Sequence, residues 1–157
     1  MSETKSSAPA SLNLTQRPPR SPRVKLGGYV MLPRIIDKGR AALAGQLGEY
    51  HYAGKGMDRH FFEFTGADHA SFQKQIANNL GDWDLLLWIQ ENGKNKRQPW
   101  EIAAWSEYHE KRTPDSDAET AKYFMENLAK FSQAREDIRT WFDLMDLDDY
   151  CSFGGAA

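Results

Sequence analysis

Residues 68–111 decide the fold class of this chain, and they read DHASFQKQIANNLGDWDLLLWIQENGKNKRQPWEIAAWSEYHEK. Asp68 and Asp82 each suit the start of a helix, because an aspartate side chain at that position accepts hydrogen bonds from free backbone N–H groups. Gly93 is a typical helix stop, and Pro99 suits the first position of a helix. The segment therefore predicts three consecutive helices, over residues 68–79, 83–92 and 99–111.

Two six-residue motifs within this segment resemble each other, namely Trp83–Trp88 (WDLLLW) and Trp100–Trp105 (WEIAAW). Two copies do not make a repeat protein, which needs at least about three stacked units. Residues five apart lie on different faces of an α-helix, so the two tryptophans of each motif point in different directions. We therefore expect both helices to pack on two sides, with these tryptophans buried rather than displayed.

One long helix is predicted in the C-terminal part. Residues 116–119, SDAE, match a capping box, which marks a helix N-terminus. Seven residues then alternate at spacings of four and three, which places them on one helix face: Phe124, Leu128, Phe131, Arg135, Ile138, Phe142 and Met145. We predict a helix from Asp117 to about Met145. Arg135 falls on its apolar seam, and we expect a carboxylate of another element to pair with it, since an unpaired buried guanidinium is costly.

The region before residue 68 predicts one helix, over Arg34–Ala44, and one hairpin. The aromatic runs Tyr50–Tyr52 and His60–Phe64 flank the glycine-containing segment Ala53–Asp58. Two such runs around a turn segment are typical of a β-hairpin, because aromatic residues favour strands.

Residues 1–19 predict a disordered tail, because their Ser-, Pro-, Thr- and Ala-rich composition buries too little apolar surface to offset the entropy of ordering. Residues 20–157 then form a single helical domain. The expected fold is mainly α: a compact bundle of about five helices with one short β-hairpin and a disordered N-terminal tail.

Charge is distributed unevenly along the chain. Residues 1–59 carry ten Lys/Arg and four Asp/Glu, whereas residues 60–157 carry ten and eighteen. Either the two parts neutralise each other, as paired opposite charges normally do, or a basic patch stays exposed for a partner. The second interpretation predicts that cations and aromatic residues form an accessible hollow for an anionic small molecule or an acidic protein. The residues predicted to bind are Arg23, Lys25, Arg34, Lys38, Tyr50, His51 and Tyr52.

The alternative function is a small enzyme with a His/Tyr acid–base site around residues 49–60. If the hairpin forms, Glu49 and His51 lie on one side of a strand, as do Asp58 and His60. Two imidazoles and two carboxylates could then converge, which suffices for acid–base chemistry, with or without a divalent metal. This spacing matches no recognised metal-ligand pattern, so we predict neither a metal nor a cofactor. The sequence leaves open whether the protein is an enzyme.

Composition argues against several other classes. The single cysteine, Cys151, excludes an internal disulfide and a cysteine zinc cluster. A pI near 6.1 argues against nucleic-acid binding. No apolar run approaches the roughly 20 residues that cross a bilayer, and residues 1–12 lack the apolar core of a signal peptide. We therefore expect a soluble cytoplasmic protein with no membrane partner. A homodimer through the apolar stripe of the C-terminal helix stays an open alternative.

The stretch RSPRVKLGGYVMLPRIIDKGRAALAGQLGEYHY at residues 20–52 resembles the opening of a bacterial family, domain of unknown function 5069. The later pieces FFEFTG, QPWEIAAWSEY, RTPDSDAET and WFDLMDLDDY are similar to it as well, and the resemblance extends from about Gln16 to Ala157. Relatives often have a Cys-Pro-Leu-Asp-like turn after the Tyr-His-Tyr motif, where this chain has AGKGMD at Ala53–Asp58. The family name supplies no activity, so the resemblance implies no catalytic residue.

Overall fold

The structure is a computed structural model, and it describes residues 12–157. Seven helices occupy this part of the chain: α1 Leu32–Leu43, α2 Gly56–Thr65, α3 His69–Ala77, α4 Asp82–Asn92, α5 Pro99–Lys111, α6 Ala118–Phe131 and α7 Trp141–Ser152. Residues 12–157 contain no strand, and their one β-type pairing is an isolated bridge between Leu26 and Tyr29. The helical class is confirmed, but the predicted fold of about five helices with a β-hairpin is wrong.

The predicted hairpin is wrong because its second half is a helix, α2. The buried residues of α2 are Asp58, Phe61, Phe62 and Thr65. Their spacing of three, one and three residues is that of one helical face, whereas a strand would bury every second residue. Gly66 ends α2 in the left-handed conformation, at φ 66°. The aromatic content suggested a strand, but the periodicity of burial is helical.

The predicted helix from Asp117 to Met145 is in fact two helices, α6 and α7. A capping box at the start of α7 explains the break: the Thr140 hydroxyl accepts from the Asp143 N–H at 3.0 Å, and an Asp143 carboxylate oxygen accepts from the Thr140 N–H at 2.9 Å. Arg135 therefore lies in the connection and not on a helical seam. Its guanidinium donates to Asp137, two residues along, at 2.7 and 2.8 Å.

The apolar residues of the predicted stripe pack inside the chain. The hydrophobic cluster of α6 and α7 is formed by Phe124, Leu128, Ile138, Leu144 and Leu147, with Phe131, Trp141 and Cys151 partly buried against it. Four residues of the stripe belong to this cluster (Phe124, Leu128, Phe131 and Ile138), whereas α7 contributes Leu144 and Leu147, which are not part of the stripe. A homodimer through this stripe stays a prediction, and the stripe already has an intramolecular role.

The chain divides into two compact units. Unit 1 comprises residues 12–15 and Ile35–Lys96 of the described chain, and unit 2 comprises Gln16–Arg34 and Arg97–Ala157. The boundary falls within α1, between its third and fourth residues. The sequence of unit 1 has seven Lys/Arg and eight Asp/Glu, and that of unit 2 has twelve and thirteen. The uneven charge of the linear sequence is therefore absent from the folded units, each of which has a formal net charge of −1.

The predicted tail over residues 1–19 falls partly outside the described residues, which begin at Leu12. Within residues 12–19, Leu14 is buried and its N–H donates to the Gln46 carbonyl at 3.0 Å, inside unit 1. The part of this segment that the structure describes thus contributes to a packed unit.

Segment 20–31 of unit 2 is held in place by hydrogen bonds within a turn and to α5. Gly27 and Gly28 both have positive φ, 58° and 83°, and form a tight two-residue turn in which Leu26 and Tyr29 exchange backbone hydrogen bonds. The buried Ser106 hydroxyl of α5 donates to the Gly28 carbonyl at 2.6 Å and accepts from the Val30 N–H at 3.1 Å. These bonds fix the segment that carries the first two predicted binding residues.

Two tryptophans depart from the predicted burial. Trp83 is 61% exposed and Trp100 is 71% exposed, whereas Trp88 and Trp105 are half-buried. The expectation that both tryptophans of each motif are buried is therefore wrong. Each of these helices is packed through its second tryptophan and displays its first.

Candidate functional site

The seven residues predicted to bind a ligand do not all belong to one unit. Unit 2 holds Arg23, Lys25 and Arg34, and unit 1 holds Lys38 together with residues 50–52. Each cation of the set lies within ion-pair distance of a carboxylate of its own unit. The binding role of the set stays a prediction, and the environments of its members differ strongly.

Within unit 1, the buried Lys38 side chain fixes the backbone of the Tyr50–Tyr52 segment. Its ammonium group lies 2.7 Å from both carboxylate oxygens of Asp58 and donates to the His51 carbonyl at 3.0 Å. An Asp58 oxygen also accepts from the Ala53 N–H at 3.0 Å. Ala53 has φ 62°, a left-handed conformation that is uncommon for alanine. The buried Lys38–Asp58 pair therefore fixes the backbone on both sides of Tyr52.

Tyr52 places its hydroxyl against α1, where Gly39 leaves room for it. A Cβ atom at Gly39 would lie 3.1 Å from the Tyr52 hydroxyl oxygen and 2.5 Å from Cδ1 of Ile76. The hydroxyl is buried and makes no hydrogen bond within the described chain. Burial raises the pKa of Tyr52 well above its usual value, and the negative charge of Asp58 raises it further. At neutral pH the phenol is therefore a neutral, packed group.

The other two members of the Tyr-His-Tyr motif are more accessible. The His51 side chain is exposed and Tyr50 is half-buried, in the loop between α1 and α2. His60 belongs to α2, so the strand geometry that would align it with His51 is absent. Within residues 12–157, no group of three or more His, Cys, Asp or Glu side chains is arranged to hold a metal ion. The acid–base enzyme hypothesis stays a prediction.

Arg34 is engaged by a bidentate ion pair inside unit 2. Its two terminal nitrogens donate to the two Asp149 carboxylate oxygens at 2.7 and 3.1 Å, and one of them also donates to the Arg20 carbonyl at 3.1 Å. Arg34 and Asp149 are both buried. A planar guanidinium matches a carboxylate with two parallel hydrogen bonds, which is the strongest geometry for such a pair.

Arg23 and Lys25 are exposed, unlike Arg34 and Lys38. Arg23 pairs with Asp143 and, at 3.1 Å, with Asp146, and Lys25 pairs with Glu110 at 2.9 Å. The Arg23 side chain is 43% exposed, against 23% and 36% for its two carboxylates. The Lys25 side chain is 52% exposed, against 32% for Glu110. In each pair the basic side chain is therefore more exposed than the acidic one.

The carboxylate of Asp143 has two roles at once, as a helix cap and as a partner of Arg23. Burial by itself raises the pKa of Asp143. The Thr140 and Arg139 backbone N–H groups, the Thr140 hydroxyl and the charge of Arg23 lower it, and together they hold the pKa of this carboxyl below its usual value. Asp143 is thus a stable anion, against which Arg23 is positioned.

The sequence did not identify the carboxylates that complete these pairs. Asp149 lies in the acidic DLMDLDDY stretch, where four aspartates occur within seven residues and nothing distinguishes one from another. The strand pattern predicted Asp58 as a member of an acid–base or metal site, although its spacing with Phe61, Phe62 and Thr65 marks it as part of a buried helical face. A buried lysine requires a carboxylate partner, but the choice of partner depends on the tertiary fold.

A further surface feature is the outer face of α5 in unit 2. Six residues of α5 at helical spacing are all exposed: Trp100, Ala103, Ala104, Glu107, Tyr108 and Lys111. Two of them are large aromatics, with Trp100 71% exposed and Tyr108 62% exposed. An open groove of about 530 Å³ adjoins the C-terminal end of this face, lined by Ala104, Tyr108 and residues 111–113 among others. We call these six residues the α5 face.

Comparison with known proteins places the chain in a family. The family model described as Domain of unknown function (DUF5069) matches residues 16–151. The chain belongs to this family. No curated protein matches the sequence. The DUF5069 description names no activity, so a function has to be inferred from the geometry. Within residues 12–157 of this DUF5069 protein, no helix combines the length and the apolar character that spanning a bilayer requires.

Proposed function

We propose that this protein is a non-catalytic binding domain that recognises an acidic protein partner through Arg23 and Lys25 in unit 2. The observation that supports the proposal is the relative exposure within their ion pairs, in which each basic side chain is more exposed than its acidic partner. A partner that approaches this surface can reach both basic side chains, although unit 2 as a whole is slightly negative.

The energetics of the ion pairs favour these two residues over the other predicted cations. Exposed ion pairs contribute only about 0–1 kcal/mol, so a partner carboxylate can replace an intramolecular one at little cost. Removing one member of a buried pair such as Lys38–Asp58 costs about 3–5 kcal/mol, because the other charge is left uncompensated. Arg34 and Lys38 therefore act in folding, and Arg23 and Lys25 are available for recognition.

The geometry favours an extended acidic surface over a small anion. Arg23 contacts acidic residues of α7, whereas Lys25 contacts Glu110 of α5, so the two charges are directed to different helices. Val24, between them, is 39% exposed. A partner that spans both cations can also cover this apolar side chain, which a single phosphate or carboxylate ion cannot do.

The experiment measures binding of a fluorescent twenty-residue polyglutamate peptide by anisotropy, at low and at high salt. We expect salt-sensitive binding that is weakened at least about fivefold in R23Q/K25Q, because counterion-screened contacts carry the affinity. K122Q/K130Q is the matched control, since it removes two exposed lysines from α6 of the same unit.

Equal loss in the control variant would contradict the proposal, because it would show a response to net charge alone. Inorganic phosphate serves as the small-anion probe. Saturable phosphate binding that is lost in R23Q/K25Q, without polyglutamate binding, would favour an anionic small molecule instead.

A further inference from the structure

We propose that Asp146 of α7 is an autoinhibitory carboxylate, which occupies Arg23 in the free protein and has to be displaced or neutralised before an acidic partner binds there tightly. This inference rests on the proposed function, and it names the intramolecular group that regulates the binding surface. It is carried by an observation of its own, namely the different roles of the two aspartates that contact Arg23.

The acidic side chains of this surface outnumber the basic ones. Arg23 pairs with both Asp143 and Asp146. Lys25 pairs with Glu110. Two cations and three carboxylates give the group a formal net charge of −1. Because like charges repel, the approach of an acidic partner is opposed as long as all three carboxylates are ionised and in place. Loss of one negative charge makes the group neutral.

Asp143 is not the carboxylate that a partner displaces, because it has a second role. One of its carboxylate oxygens accepts hydrogen bonds from the backbone N–H groups of Arg139 and Thr140, at 3.1 and 2.9 Å. These bonds fix Asp143 at the N-terminus of α7, and they do not involve Arg23. Asp143 therefore stays in place whether or not a partner occupies Arg23.

Asp146 has no such role in the cap of α7. Among residues 12–157 its carboxylate bonds only to segment 20–31: one oxygen accepts from Nε of Arg23 at 3.1 Å, and the other accepts from the Ser21 hydroxyl at 2.7 Å. The Asp146 side chain is 36% exposed, against 23% for Asp143. Asp146 can therefore turn toward the solvent without loss of the cap.

Ser21 holds the carboxylate of Asp146 against Arg23. The Ser21 hydroxyl donates to Asp146, and its oxygen also accepts from the Arg23 backbone N–H at 3.2 Å. One hydroxyl thus links the carboxylate to the residue that it neutralises. Displacement of Asp146 breaks this hydrogen bond and one exposed ion pair. A partner carboxylate recovers that cost when it pairs with Arg23 and accepts from the same hydroxyl.

The test measures the anisotropy of the same polyglutamate peptide with Asp146→Asn. This substitution removes the charge and keeps the shape of the side chain, and we expect the variant to bind at least about fivefold more tightly than the natural protein. D148N is the matched control, because Asp148 is an exposed aspartate of the same helix that bonds to Ser152 instead of Arg23. We expect D148N to change the affinity by less than about twofold, since its charge is screened by solvent.

Dependence on Arg23 separates autoinhibition from an effect of net charge. In R23Q/D146N the gain over R23Q should be lost, because the cation that Asp146 occupies is absent. A gain that persists without Arg23 would overturn the inference, and so would equal gains in D146N and D148N. Circular dichroism and thermal unfolding establish that each variant is folded before its binding is interpreted.

The two proposals fail in distinguishable ways. If polyglutamate binds through Arg23 and Lys25 but D146N binds it no more tightly than the natural protein does, the autoinhibition inference is wrong and the proposed function stands. If R23Q/K25Q leaves polyglutamate binding unchanged, the proposed function is wrong. If neither the natural protein nor D146N binds polyglutamate, both proposals are wrong, whereas binding by D146N alone would support the inference.

Discussion

The buried pairs of α1 and the surface pairs of segment 21–26 use the same residue types for different purposes. Arg34 and Lys38 lie within one helix and donate to buried carboxylates at 2.7–3.1 Å. Arg23 and Lys25 reach carboxylates that stay in contact with solvent. A basic stretch of sequence therefore contains both structural and accessible cations, and burial of the partner carboxylate separates the two.

The largest effect is expected from Lys38→Met. The variant leaves the Asp58 carboxylate buried without its cation and frees the His51 carbonyl, so the free energy of unfolding falls by about 3–5 kcal/mol. Urea denaturation followed by circular dichroism measures the loss. The double variant K38M/D58L is the control, and it regains part of the stability, because an apolar pair can replace a buried ion pair but not the bonds to the Ala53 N–H and the His51 carbonyl. A loss below about 1 kcal/mol in K38M would show that the pair is not structural.

A smaller loss is expected from Arg34→Lys. Lysine keeps the charge but cannot make the two parallel hydrogen bonds to Asp149, and the free energy of unfolding then falls by about 1.5–3 kcal/mol. Arg40→Lys is the matched control, since Arg40 is less buried and pairs with Asp82, which is itself partly exposed. Equal losses in the two variants would mean that burial of the carboxylate does not set the strength of these pairs.

From the sequence, only those features that depend on neighbouring residues could be predicted, such as the start and end of a helix. The helices predicted over residues 68–79, 83–92 and 99–111 correspond to α3, α4 and α5. The Asp68 cap and Pro99 each act on their own turn, whereas α4 already begins at the predicted cap Asp82 and has Gly81 at its N-cap. The Thr140–Asp143 spacing of the α7 cap was also present in the sequence, but the regular apolar stripe across it favoured one continuous helix. The α7 residues that pack on α6 are Leu144 and Leu147, which the stripe did not include.

The ion-pair partners of the buried cations could not be predicted from the sequence. Lys38 has Asp58 as its partner twenty residues away, and Arg34 has Asp149 at a separation of 115 residues. A choice among 22 acidic residues depends on the whole fold. For the same reason the exposure of Trp83 and Trp100 could not be predicted, since it depends on which face of each helix the rest of the fold covers.

Thr140→Ala tests whether the N-terminal cap of α7 holds Asp143, which is an ion-pair partner of Arg23. The variant removes the acceptor for the Asp143 N–H, so the free energy of unfolding falls by about 1 kcal/mol. Chemical denaturation measures this change. Thr113→Ala is the control, since among the described residues the Thr113 hydroxyl bonds only to the exposed side chain of Asp115; it is expected to change stability by less than about 0.5 kcal/mol. If T140A is as mild as T113A, the cap does not hold Asp143 in place.

A smaller, pH-dependent change in the free energy of unfolding is expected from Asp143→Asn. The pKa of Asp143 is lower in the folded protein than in the unfolded chain, so its contribution is present above the unfolded value of about 3.9 and is lost as the pH falls through the folded pKa. The difference in unfolding free energy between the natural protein and D143N should therefore shrink as the pH is lowered below about 4. A difference that grows toward low pH would mean that the pKa of Asp143 is raised in the folded state.

The smallest effect on stability is expected from R23Q/K25Q, the variant with the largest expected effect on binding. Both cations are exposed, and because solvent screens their charges their ion pairs contribute at most about 1 kcal/mol to stability. The midpoint of thermal unfolding of the variant should therefore stay close to that of the natural protein. Differential scanning calorimetry in low and in 0.5 M salt measures it. A large destabilisation that persists in high salt would mean that these residues hold unit 2 together, as Arg34 does. Arg23 and Lys25 could then not leave their intramolecular carboxylates to bind those of a partner. The surface pairs would stabilise the fold as the buried pairs do, and the two kinds of pair would differ only in solvent exposure.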